Sequence, residues 1–172
     1  MTEQPLLRIT NLQIDFPIQN GAVRAVDGVN LELYAGQTLA IVGESGSGKS
    51  TTAHAIVDLL PGSGKVTGGS LLFDGQELVG ATPAQLEDIR GRQIGFVPQD
   101  PMSNLNPVWS VGFQVEEAIR ANGVASGKQE VRAAAVDVLR RAGLADADKR
   151  LKQFPHQFSG GMRQRVLIGI GL

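Results

Sequence analysis

The chain has 172 residues, 42% of them hydrophobic, with 16 basic and 17 acidic side chains and a formal net charge of −1. That suits one domain, or part of one, with a real core, and it supplies no general attraction to nucleic acid or anionic lipid. Cysteine is absent, which excludes a disulfide scaffold, a cysteine zinc site and a cysteine nucleophile. The start, MTEQPLLRIT, lacks a charged segment followed by an apolar one, so no signal peptide is expected. No stretch reaches the ~18 apolar residues needed to span a bilayer.

The expected elements follow in chain order. LLRITNLQIDF reads as a strand in which Leu7, Ile9, Leu12, Ile14 and Phe16 roughly alternate, and PIQNG as a turn. VRAVDGVNLELYAG reads as a second strand with Val29, Leu31 and Leu33 on one face. TLAIVG is a continuous apolar run, the pattern of a strand buried on both faces. Gly48 to Leu60 is helical in pattern, with Ala53, Ile56, Val57 and Leu60 on one face, and PGSGKVTGG reads as a loop. SLLFDGQEL is a strand and turn. TPAQLEDIRG is a short helix capped by Thr82 with Pro83 first, and QIGFVPQ is another short strand. DPMSNLNP is a loop. WSVGFQVEEAIRANG and KQEVRAAAVDVLRRAG read as amphipathic helices, the second through Val131, Ala134, Ala135, Val138, Leu139 and Ala142. ADADKRLKQFPHQ is a short helix or turn, and Ser159 opens a last helix. The expected division is an α/β core over 1–99, a helical insertion over 100–157 and a final segment over 158–172.

The densest chemistry lies in LAIVGESGSGKST. Gly43, Gly48, Lys49 and Ser50 match the G-x-x-x-x-G-K-[ST] phosphate-binding loop. Its glycines let the backbone curl so that the N–H groups of Gly43, Glu44, Ser45, Gly46, Ser47, Gly48, Lys49, Ser50 and Thr51 can turn toward phosphate oxygens. The helix that follows presents its positive end to the same anion. Lys49 would reach the β- and γ-phosphates, and the Ser50 hydroxyl would serve Mg²⁺. A glycine-serine turn preceding a lysine by chance is the plainer reading, but the apolar run before it and the helix after it are the setting that phosphate binding requires. A second candidate anion site is the Ser159-Gly160-Gly161 helix start, which alone reads more readily as an ordinary N-cap and gains weight only with the phosphate loop upstream.

Four features in order resemble the ABC-type ATPases. FSGGMRQR at 158–165 is similar to their signature motif, with Phe158 for Leu and Met162 for Gln. FVPQDPMSNLNP at 96–107 resembles their Q-loop, with Gln99 in the glutamine position. Phe16, nine residues before Ala25, falls where the family carries an aromatic that stacks on adenine, and the phosphate loop completes the set. QDPMSNLNP and GESGSGKST look most like the branch that imports dipeptides, oligopeptides and related solutes such as nickel. The resemblance implies an α/β P-loop NTPase core with an N-terminal antiparallel β-subdomain and a helical insertion. It implies ATP and Mg²⁺ as ligands, with Ser50 and Gln99 toward the metal. It implies a head-to-tail second ABC ATPase subunit, homo- or heterodimeric, whose γ-phosphate meets Ser159, Gly160, Gly161 and Met162. Transmembrane permease subunits are implied near Trp109, Met102 and Phe113, with an external solute-binding protein acting indirectly. The implied location is peripheral, at the cytoplasmic face of the membrane, with no nucleic-acid partner. His54 and His156 match no catalytic position and read as structural.

The family's signature helix leads to an apolar strand ending in Asp, followed by Glu, and then to a D-loop and a switch histidine. None is found here, and no Asp or Glu follows Asp148. No catalytic residue is therefore identified, the core sheet is expected to be incomplete, and the chain by itself is expected to be inactive and poorly folding. A DNA-repair ABC ATPase is the first alternative, disfavoured by the neutral charge and the absence of cysteine. A non-hydrolysing nucleotide-binding module is the second.

Overall fold

Two long strands pair first: β1, Leu7–Ile18, and β2, Gly21–Leu33, form an antiparallel hairpin joined at Gln19 and Asn20. Leu7, Ile9, Leu12 and Ile14 are buried as the alternation requires, but the spacing slips by one between Ile9 and Leu12. Asn11 causes the slip. It adopts φ 49°, its N–H donates to Asn30 Oδ1 at 2.8 Å, and the register shifts toward both neighbouring strands there. This is a bulge, and it returns the next apolar residues to the core face. The computed structural model describes residues 4–100 and 103–172, so Met102 lies outside the described residues.

β3, Lys65–Phe73, pairs with the free side of β1, and β4, Gln76–Glu77, extends the sheet in the order β2-β1-β3-β4. The glycine-rich stretch after Gly64, expected as loop, is therefore strand. It is strand because β1 offers a ladder for it, and Gly69 is needed where it crosses the bulge. At Gly69 φ is +89° and a Cβ would lie 2.4 Å from the Asn11 carbonyl oxygen. Asp74 and Gly75 both take positive φ, which is the two-residue turn that an Asp-Gly pair favours.

Glu77 fastens this hairpin. Its carboxylate accepts from Ser70 Oγ, from Leu71 N at 2.9 Å and from Val79 N at 3.0 Å. Partial burial pushes its pKa up, but the hydrogen bonds outweigh that and hold it below the ordinary glutamate value of 4.5. A carboxyl held down in the folded state contributes stability above its unfolded value and loses it as pH falls through the folded one. Urea midpoints should therefore fall on acidification below 4.5, and Glu77→Gln should make that fall shallower. Equal slopes for the two proteins would contradict this.

α1, Lys49–Ile56, is shorter than the periodicity predicts. Asp58 turns left-handed at φ 48°, and Leu59 N bonds back to His54 O, closing the helix before Leu60. α2, Pro83–Ile89, starts as predicted: Thr82 Oγ1 accepts from Gln85 N, and Gln85 Oε1 accepts from Thr82 N at 2.9 Å.

Two expected strands are not paired. TLAIVG carries no strand or helix, and Leu39, Ile41 and Val42 are 46%, 45% and 88% exposed rather than buried on both faces. QIGFVPQ contributes only an isolated bridge between Arg90 and Ile94. A strand is defined by its ladder, and among the described residues no neighbouring strand bonds to either segment, so apolar content alone does not make them sheet.

The chain divides into two compact units, Met1–Glu87 and Asp88–Leu172. The first holds the four-stranded sheet and α1. The second holds α3, Val111–Ala121; α4, Lys128–Arg141; α5, Ala147–Arg150; a 3₁₀ turn, Pro155–Gln157; and α6, Gly160–Gly171. α3 and α4 bury the predicted stripes, Val111, Val115 and Ile119 against Val131, Ala135 and Leu139. Gly112 allows the chain at 151 to come close, since its N–H donates to Leu151 O at 2.8 Å and a Cβ would lie 2.5 Å from that oxygen.

Candidate nucleotide site

The loop from Gly43 to Gly48 has no regular structure and leads directly into α1. Gly46 and Gly48 have φ of +82° and +87°, a conformation that side chains resist. Gly48 is needed for space as well: a Cβ there would lie 2.7 Å from the Ala25 carbonyl of β2. As the N-cap of α1, Gly48 offers no side-chain acceptor, so no side chain caps the first N–H groups of the helix. The helix start is held instead from within, where Thr52 is buried and its Oγ1 donates to Gly48 O at 3.0 Å. Thr52 and Ala25 are the supports that sequence reasoning missed. A threonine four residues after the last loop glycine, Gly48, is a local signal for the first, and nothing local marks the second.

Lys49 curls back over the loop. Its Nζ donates to Gly43 O at 2.9 Å, Glu44 O at 2.6 Å and Ser47 Oγ at 3.2 Å. The ammonium thus sits at the mouth of the loop, positioned by three oxygens. Glu44, Ser45, Gly46, Ser47 and Ser50 are exposed, while Lys49 and Thr51 are half-buried. Beside the loop opens a cleft of about 510 Å³, with walls from Val29, Leu31, Leu39, Ile41, Ser47, Lys49 and Thr52. Phe16 is not among its lining residues. It lies half-buried near the end of β1, opposite Val23.

The second helix start is built differently. Ser159 caps α6, its Oγ accepting from Met162 N at 3.4 Å. Phe158 is buried in the helical core and anchors the turn, which explains an apolar residue before the serine. Arg163 Nε donates to Pro155 O at 2.7 Å, and an Arg165 guanidinium N–H to Gly143 O at 3.0 Å, tying the helix down on both sides. Gly160 and Gly161 are exposed, and a Cβ on either would meet nothing within 4 Å. Their backbone is open to an outside group while Ser159 serves as the cap.

Among the described residues no three His, Asp or Glu side chains cluster as metal ligands. Ser50 and Gln99, the two residues expected toward Mg²⁺, are both exposed, and their hydroxyl and amide oxygens are hard donors of the kind Mg²⁺ takes. Ser50 belongs to the first unit and Gln99 to the second. Trp109 and Phe113, both exposed, stack with centroids 4.5 Å apart. His54 Nδ1 bonds Ser50 O within α1, and His156 stacks on Phe154. No helix among the described residues is long and apolar enough to cross a membrane.

Comparison with known proteins bears on these motifs. The family described as ABC transporter matches residues 26–172. The oligopeptide transport ATP-binding protein OppD of Bacillus subtilis is 45% identical over 168 residues, 97% of this chain and 47% of its own length. The dipeptide transport ATP-binding protein DppD of the same organism is 45% identical over 170 residues, 98% of this chain and 50% of its own length. The chain therefore spans about half the length of the curated relatives it matches. Among solved structures, an ATP-binding cassette dimer in a post-hydrolysis state bound to ADP and Pi superposes with a TM-score of 0.84. It is 31% identical, with 96% of this chain and 68% of that one covered.

Proposed function

The chain belongs to the ABC transporter family, and from that premise we propose that it is an ATP-binding subunit that couples nucleotide binding and hydrolysis to import of peptides or related small solutes. The observation that carries this is the Gly43–Thr51 loop opening α1, with the Lys49 ammonium already gathered over it. The names of OppD and DppD support the peptide branch.

On this reading the amides of residues 43–51 cradle the phosphates, and Lys49 exchanges its loop carbonyls for phosphate oxygens. Ser50 and Gln99 hold Mg²⁺, which neutralises phosphate charge when bound. Phe16 stacks on adenine. Ser159, Gly160, Gly161 and Met162 reach the γ-phosphate held by a second ABC subunit, a partner that the dimeric cassette supports. Residues 1–99 serve as the phosphate-loop core, 100–157 as the Q-loop and helical part, and 158–172 as the signature. The stacked Trp109 and Phe113 offer an exposed aromatic face to a transmembrane permease subunit, so the protein works peripherally at the membrane. The permease and an external solute-binding protein select the solute.

Hydrolysis needs a group that positions and activates water. No carboxylate follows Asp148, so residues 1–172 by themselves supply none beyond the signature helix. Isothermal titration of these residues with MgATP should show weak binding at most, at no more than one site per chain, with no sustained phosphate release in a parallel assay. Absence of binding by a sample that circular dichroism shows to be folded would overturn the nucleotide reading, and steady release abolished by Lys49→Ala would overturn the expected inactivity.

A further inference from the structure

We propose that Gly64 is a positioning residue for the nucleotide base, acting through Phe16; the inference rests on the reading of Phe16 as the adenine platform. Asp15 on β1 pairs with Lys65 at the start of β3, so the antiparallel register carries Gly64 alongside Phe16. A turn fixes it there, with Gly64 N donating to Pro61 O at 3.2 Å. A Cβ at position 64 would lie 2.6 Å from Phe16 Cε1, 2.8 Å from Cζ and 3.2 Å from Cδ1. One edge of the ring therefore rests where any other side chain would begin.

What demands glycine here is the ring and not the backbone. Gly62, two residues earlier, has φ +59°, whereas Gly64 is not among the glycines with positive φ. Alanine suits the main chain at 64 but must push the Phe16 ring aside, because the ring is the movable party in the clash. Val23 pairs with Phe16 on the other strand, and on the β3 side the ring has only the bare Cα of Gly64 beside it. A platform held this way has already given up much of its rotamer freedom before the base arrives, which lowers the cost of stacking. Gly64 lies in neither the phosphate loop nor the cleft beside it, but it shares a second pocket with Ala55 of α1, so a ligand with phosphates and no base separates an effect through Phe16 from one through α1.

The test is equilibrium binding of MgATP, and separately of inorganic tripolyphosphate, to the full chain and to Phe16→Ala, Gly64→Ala and the double variant. Removing a base–aromatic stack should lower MgATP affinity about tenfold in Phe16→Ala, with a loss of about three- to tenfold in Gly64→Ala. The double variant should bind MgATP no more weakly than Phe16→Ala, and tripolyphosphate affinity should be the same in all four proteins. If Phe16→Ala leaves MgATP affinity unchanged, the base reading falls and this inference with it. If Phe16→Ala weakens binding and Gly64→Ala does not, the role of Gly64 alone is overturned. If Gly64→Ala weakens tripolyphosphate equally, position 64 acts on the loop through the fold, and the positioning role is again overturned.

Discussion

Lys49→Ala is expected to lower the affinity for MgATP about ten- to a hundredfold, the worth of a hydrogen bond to a charged group. Two losses combine. The variant removes the cation that would face the β- and γ-phosphates, and it removes the donor that holds Gly43 O, Glu44 O and Ser47 Oγ together before nucleotide arrives. Lys49→Arg should not restore binding, because a planar fork cannot replace a point donor that meets three converging oxygens. Lys128→Ala, at the exposed start of α4, keeps the same net charge as Lys49→Ala and should bind as the parent does. Similar losses in the Lys49 and Lys128 variants would mean that overall charge, and not this loop, governs binding.

The second large effect is on stability. Leu139→Ala should cost the helical unit, which has a core of its own apart from the incomplete sheet, about 2–5 kcal/mol, the range for emptying a packed leucine site. Leu139 is 0% exposed at the centre of the helical core, and the Gly169 backbone of α6 packs onto it: a Cβ at 169 would lie 3.2 Å from Leu139 Cδ2. The signature turn therefore depends on this side chain without touching it, since Ser159 caps the helix that leans on Leu139. Urea unfolding followed by far-UV circular dichroism reads the loss. A cost below about 1 kcal/mol would mean that the core collapses around the cavity, or that α6 is not held there.

Some of this molecule is legible in one dimension because its chemistry is contiguous. The phosphate loop needs glycines at fixed spacing, then a lysine and a helix, and all of that falls within a dozen letters. The stripes of α3 and α4 are legible for a similar reason, since burial of Val131, Ala135 and Leu139 follows from helical period alone. Where a partner decides the outcome, the sequence is silent. LAIV reads as a buried strand by composition, yet Val42 is 88% exposed, because strand character requires a bonded neighbour as well as apolar residues. β3 begins at Lys65 inside an apparent loop for the converse reason, that β1 supplies the ladder. The early end of α1 turns on one residue, Asp58, taking a left-handed conformation that aspartate tolerates better than most.

The site shows the same division. Lys49 stands out in the sequence as a candidate phosphate ligand, but its hold on two loop carbonyls is visible only in three dimensions. Ser159 was legible as a cap, and it is one. Phe158 reads as a variant of a motif letter until it is found buried, where its size anchors the turn. Gly64 carried no local signal, because its partner is a ring 48 positions earlier in the chain.

On the proposed function, the Ser159 helix start completes a nucleotide site on another subunit. The direct measurement uses ATP with a photoreactive γ-phosphate, bound to an assembled pair in which this chain carries Lys49→Ala and its partner is intact. Label should appear on residues 153–163 of this chain, a single tryptic peptide that contains Ser159 to Met162, and be absent from its residues 43–51. A nucleotide-loaded pair with no label on 153–163 would contradict a composite site.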